Sequence, residues 1–111
     1  ATFTQALIAE LSSRRTLPDI IHAHFADASA VANEIGRVFG IPFVYTAHSL
    51  GLDKAATMSA VDDGMRRRID HETAAIANAA AVIGSSRDEC ERQLVAYPGA
   101  RIGKIHRITP G

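Results

Sequence analysis

The sequence predicts an α/β fold, a three-layer αβα sandwich built on a parallel sheet of about four strands. Three observations lead there. Short apolar runs alternate along the chain with stretches of helical periodicity. The intervening stretches are about ten residues or longer, which suits parallel crossovers rather than hairpins. The runs are apolar at consecutive positions, as in strands expected to be covered on both faces.

The elements follow in order. Phe3, Leu7 and Leu11 recur every four residues and give one apolar helical face. Pro18 stops that helix, because a proline pushes the preceding residue out of helical angles. "DIIHAHF", residues 19–25, is the first strand. In "DASAVANEIGRVFG", Val31, Ile35 and Phe39 define a helix that Asp27 or Ser29 could cap and Gly40 could end. "IPFVYTAH", residues 41–48, is the second strand, and a polar, irregular stretch occupies 49–60. Met65, Ile69 and Ile76 outline a longer helix over roughly 61–79, followed by the strand "AAVIGS". Ser86 and Glu89 have capping-box spacing, so a helix carrying Leu94 begins there and ends before the turn "YPG". "KIHRITPG" is the fourth strand. The order αβαβαβαβ describes a Rossmann-like domain.

The 111 residues fit one small domain. Twelve basic and twelve acidic side chains leave no net charge, hence no global attraction to nucleic acid or an anionic membrane. No apolar run approaches the ~20 residues that span a bilayer. The lone Cys90 allows no internal disulfide, which suits a reducing, cytoplasmic setting. It falls on the apolar side of the last helix and reads as a small core residue.

Ligands of open parallel sheets bind at the carboxyl ends of the strands. Three such ends here are polar: His24 to Asp27, His48-Ser49-Leu50-Gly51, and Ser85-Ser86. His22 and His24 share a strand face but lack a nearby third donor, so no metal is expected. His22 reads as a half-buried residue bonded to a backbone carbonyl, whereas His24 lies nearer the rim. His48 could act as a base, a donor or a plain hydrogen-bonding group. Arg66, Arg67 and Arg68 spread over about 200° of helix, so one of them leans toward the sheet or rim, while Glu72 could form a simple helix pair with Arg68. With Lys54 nearby, an anionic ligand group is a fair expectation. No Walker loop or GxGxxG is present, and no cofactor is expected.

Four segments carry a family resemblance: "PDIIHAHFADASAVA", "PFVYTAHSLGLDK", "RRIDHETAAIANAAAVIGSS" and "ITPG". In order and spacing they resemble the retaining glycosyltransferases of the family 4 type with the GT-B fold, in the branch of the sucrose-phosphate and mannosylfructose-phosphate synthases. The resemblance spans about residues 18 to 111. It implies that residues 1–111 are a single partial domain, the second half of the N-terminal, acceptor-side domain. It implies transfer of a hexosyl group from a UDP-glucose-like donor to an acceptor like fructose 6-phosphate, with retention. It carries the role of the histidine facing the transferred sugar to His48, and an acceptor contact to Asp27. The acceptor phosphate would fall to Lys54 and to Arg67 or Arg68.

The family's glycine-rich loop and the C-terminal domain that grips the nucleotide sugar are absent from these residues, and Ala47 stands where the synthases usually have glycine. These residues alone are therefore not expected to catalyse transfer. The rest of the parent chain is the expected partner, and a sheet cut short could self-associate through its edge. The competing reading is a stand-alone flavodoxin-like binding or signalling module, although the acidic cluster of a receiver domain is missing.

Overall fold

The computed structural model describes residues 2–48 and 50–108. Helix α1 (Thr2–Ser12) leads into β1 (Ile21–His24), α2 (Phe25–Phe39) and β2 (Phe43–Thr46). A short α3 (Gly51–Ala55) and the long α4 (Asp63–Asn78) precede β3 (Ala81–Gly84). A π-helical turn (Glu89–Gln93), two 3-10 turns (Leu94–Ala96 and Ile102–Lys104) and β4 (Ile105–Arg107) complete the order. The four strands form one parallel sheet in chain order. Ile21 pairs with Phe43, Val44 with Ala81, and Val82 with Ile105.

The predicted α/β class and four-strand parallel sheet are what the chain forms. The two faces of the sheet are buried to different extents. Ala23, Phe43, Tyr45 and Val82 pack into a buried cluster with Ala32 of α2, Ala75 and Ile76 of α4, and Leu94. The alternate strand positions present exposed His22, His24 and His106 beside half-buried Val44, Thr46 and Ile83. Among the described residues, helices therefore cover one face of the sheet. Period-2 alternation, with histidine rather than aliphatics at the open positions of β1, is the sequence trace of that asymmetry.

Local chemistry explains the element ends. Gly40 adopts φ 70° and ψ 30°, and its N–H donates to the Gly36 carbonyl, closing α2 as anticipated. The start of α2 departs from expectation. The helix begins at Phe25, with His24 at the cap position and no side-chain cap bond. Asp27 thus falls within the first turn, where its negative charge complements the helix dipole's positive end. Ser29 is buried, and its hydroxyl donates to the Ala26 carbonyl at 2.6 Å. Asp62 caps α4 by accepting from the Met65 N–H at 2.7 Å.

After β3, Ser86 accepts from the Glu89 N–H at 3.1 Å, half of the anticipated capping box. The Glu89 carboxylate turns instead to the N–H and hydroxyl of Ser85. The expected α-helix is a π-helical turn. In its i→i+5 bonding the Leu94 N–H donates to the Glu89 carbonyl, and both residues are buried.

Leu94 has no exposure, whereas Ile102 is 80% exposed. Leu94→Ala should lower unfolding stability by about 2–5 kcal/mol, and Ile102→Ala should change it by less than about 0.5 kcal/mol. Chemical denaturation of the two variants checks the contrast.

Candidate active-site rim

The carboxyl ends of β1 and β2 place three histidines in a row. His24 Nδ1 and His48 Nε2 lie 2.9 Å apart, a hydrogen bond in which one ring donates and the other accepts. The His22 and His24 rings are 4.3 Å apart between centroids. His22 Nε2 bonds the Thr46 hydroxyl at 2.6 Å, a side-chain partner rather than the backbone carbonyl anticipated. Among the described residues, no group of three His, Cys, Asp or Glu side chains is arranged to hold a metal ion. No helix there is long and apolar enough to cross a membrane.

Phe25 stacks on the other side of His48, with centroids 4.4 Å apart. Its φ of 69° is the one left-handed angle of a non-glycine residue among the described residues. Such an angle is an outlier for a bulky side chain. It marks the sharp change of direction from β1 into α2, where the strand hands its last side chains to the rim. Nothing in the apolar run "DIIHAHF" announced it.

Phe25, Ala26, Asp27, Lys54, Gly64 and Arg68 line an open cavity of about 480 Å³. The structure thus brings three predicted residues together: Asp27 from the first turn of α2, Lys54 from α3 and Arg68 from α4. His48 adjoins this cavity through its stack on Phe25. Arg67, the alternative to Arg68, is exposed and does not line the cavity. Ser49 lies outside the described residues.

Behind the cavity is a buried polar cluster. Glu72 has no exposure. It accepts from the Gly51 N–H at 2.9 and 3.2 Å, from the Tyr97 hydroxyl at 2.5 Å and from Arg68 Nε at 3.2 Å. The Tyr97 oxygen accepts in turn from the Leu52 N–H at 3.1 Å. Burial, and then the bond to Glu72, push the Tyr97 phenol well above its ordinary range. Glycine is required at position 51, because a Cβ there would lie 2.8 Å from Ile69 Cγ1 and 2.9 Å from Glu72 Oε1. In the sequence, Glu72 shows only the i,i+4 spacing to Arg68, and Tyr97 only a turn. Farther along the rim, Arg92 joins Asp53 of α3 to Asp88 at 2.8 and 2.7 Å, and its guanidinium, with Gln93, holds the Asp88 carboxyl down at about 2. Burial and then the Glu89 charge push the Cys90 thiol up, away from the thiolate a nucleophile needs.

Desolvation, then the charges of His24 and His48, lower the His22 pKa from 6.5. The folded chain then resists a proton that the unfolded chain accepts, so stability should fall as pH drops through about 6.5. Thermal unfolding between pH 7 and pH 5 should show this loss, and His22→Gln should lessen it. Phe25→Gly should raise the midpoint, because relief of a left-handed angle contributes about 1 kcal/mol. A lowered midpoint would mean that the ring's stack on His48 outweighs the strain.

The family profile described as "glycosyl transferase 4-like domain" matches residues 1–111. D-inositol 3-phosphate glycosyltransferase 1 of Catenulispora acidiphila is 34% identical over 94 residues, covering 84% of this chain and 22% of that protein. The sucrose-phosphate synthase of Zea mays is 34% identical over 107 residues, covering 87% of this chain and 10% of that protein. The chain thus spans a quarter or less of the length of these relatives. Among solved structures, a sucrose-phosphate synthase from Thermosynechococcus elongatus superposes with a TM-score of 0.65 at 20% identity, over 98% of this chain and 50% of that one. That likeness concerns the fold.

Proposed function

Because the chain belongs to the glycosyl transferase 4-like family, we propose that it forms the acceptor side of a retaining hexosyltransferase. The donor is a nucleotide sugar of the UDP-glucose type, and the acceptor a phosphorylated sugar of the fructose 6-phosphate type. One observation carries the acceptor reading: Lys54 and Arg68, from separate helices, line one cavity with Asp27. Two cations facing one space suit a phosphate, and a carboxylate beside them suits a sugar hydroxyl. The names of both relatives, an inositol 3-phosphate glycosyltransferase and a sucrose-phosphate synthase, point to phosphorylated sugars.

In the transfer, the acceptor hydroxyl oxygen bonds to the donor's anomeric carbon. The bond from that carbon to the nucleoside diphosphate breaks, its electrons leave with the diphosphate, and the hydroxyl proton is released. His48, held between His24 and Phe25, would hydrogen-bond the transferred sugar and fix its approach. Donor binding falls to parts of the polypeptide beyond these residues, so the 111-residue chain by itself should not turn over.

The test uses the full-length protein carrying this domain, with UDP-glucose and fructose 6-phosphate, and follows UDP release. A hydrogen bond to a charged group is worth about 1.5–3 kcal/mol, so Lys54→Ala or Arg68→Ala should raise KM for fructose 6-phosphate by about 10- to 100-fold. Release with a different sugar would replace the acceptor while keeping the enzyme class. No transfer from any nucleotide sugar would favour a stand-alone binding module.

A further inference from the structure

Glu72 lies outside the cavity, yet both cations that line it are tied to its carboxylate. We propose that Glu72 is a positioning residue that sets the distance between Lys54 and Arg68, and so the preference for a phosphorylated over an unphosphorylated acceptor. The inference rests on the acceptor reading above.

The first tie runs to α3. Glu72 accepts from the Gly51 N–H directly and holds the Leu52 N–H through the Tyr97 hydroxyl. These are the first two residues of a five-residue helix whose fourth residue is Lys54. So short a helix is not stable alone, and its orientation comes from what its backbone is bonded to. The exposed Lys54 therefore takes its place from a bond three residues away. The second tie is direct: Arg68 donates through Nε to Glu72 at 3.2 Å. That bond fixes the plane of a guanidinium which also lines the cavity.

A carboxylate suits this place better than an amide. Three donors converge on Glu72, from Gly51, Tyr97 and Arg68. A carboxylate offers two accepting oxygens and no hydrogen, whereas an amide offers one oxygen and turns N–H groups toward donors. Glu72→Gln preserves shape but cannot satisfy all three. A buried carboxylate also needs a compensating cation, and Arg68 supplies it.

The experiment measures kcat and KM of the full-length protein and its variants for fructose 6-phosphate and for fructose, with UDP-glucose as donor. Glu72→Gln should raise KM for fructose 6-phosphate about tenfold, the loss of one charge-assisted hydrogen bond, with kcat changed less than about threefold and KM for fructose unmoved. Tyr97→Phe removes the hydroxyl's bond to Glu72 together with the link it makes to the Leu52 N–H of α3, leaves the Gly51 and Arg68 bonds in place, and should raise the same KM about threefold. If Glu72→Gln does not fold, Tyr97→Phe decides alone. A fall in kcat with an unchanged ratio of the two KM values would make Glu72 a purely structural residue and overturn the inference, leaving the acceptor reading intact. A parent protein that does not distinguish fructose 6-phosphate from fructose would overturn both.

Discussion

A carboxylate without water must have its oxygens filled by donors, and the rim of this domain is built around meeting that demand at Glu72. Its partners come from three places far apart in the chain: the start of α3, the body of α4 and the turn that follows the π-helical segment. None of these could shift alone without leaving a buried charge under-bonded, at a cost of several kcal/mol. The glycine at 51 belongs to the same constraint, since a side chain there would occupy the space the carboxylate needs. The cationic cavity is thus held from behind, by a polar cluster whose central carboxylate is wholly buried.

The sheet imposes a second asymmetry. One face carries the hydrophobic core, with Tyr45, Ala47 and Val82 almost wholly buried among α2, α4 and the Leu94 turn. The other face carries a histidine ladder that ends at the same rim as the cavity. Polar chemistry at the carboxyl ends is therefore fed from two directions. His22, His24 and His48 approach from the open face, and Asp27, Lys54 and Arg68 come from helices on the covered one. Phe25 is the junction, stacked on His48 and lining the cavity. Its left-handed backbone is what lets one residue serve both.

Much of this was legible in the residues, for reasons that can be named. Val31, Ile35 and Phe39 repeat at the helical period, and Gly40 then offers the angle that ends a helix, so α2 was readable almost to its end. The polar residues after each apolar run placed Asp27, His48 and Lys54 on the rim, because a parallel sheet sends all its carboxyl ends the same way. The short α3 was not legible, since five residues in a polar stretch carry no periodicity and their helicity comes from tertiary bonds. The π-helical turn was hidden because its cause, the joint burial of Glu89 and Leu94, is a packing demand made by the sheet. Glu72 had a visible neighbour in Arg68 but an invisible depth. Spacing shows that two side chains can meet, and it does not show that water is excluded from the carboxylate.

The coincidence of strand order with chain order has a kinetic meaning. Each strand pairs with the one before it in sequence, and no connection passes over an intervening strand. The paired positions are separated by roughly 20 to 40 residues, so the loop-closure entropies of the three pairings differ by less than about 1 kcal/mol. No pairing has to wait for a distant segment. A chain synthesised from its N-terminus can add β2, β3 and β4 in turn to an edge already formed. The donors of Gly51 and Arg68 precede β3 in the chain while Tyr97 follows it, so the cavity's support is complete only once the segment between β3 and β4 has packed.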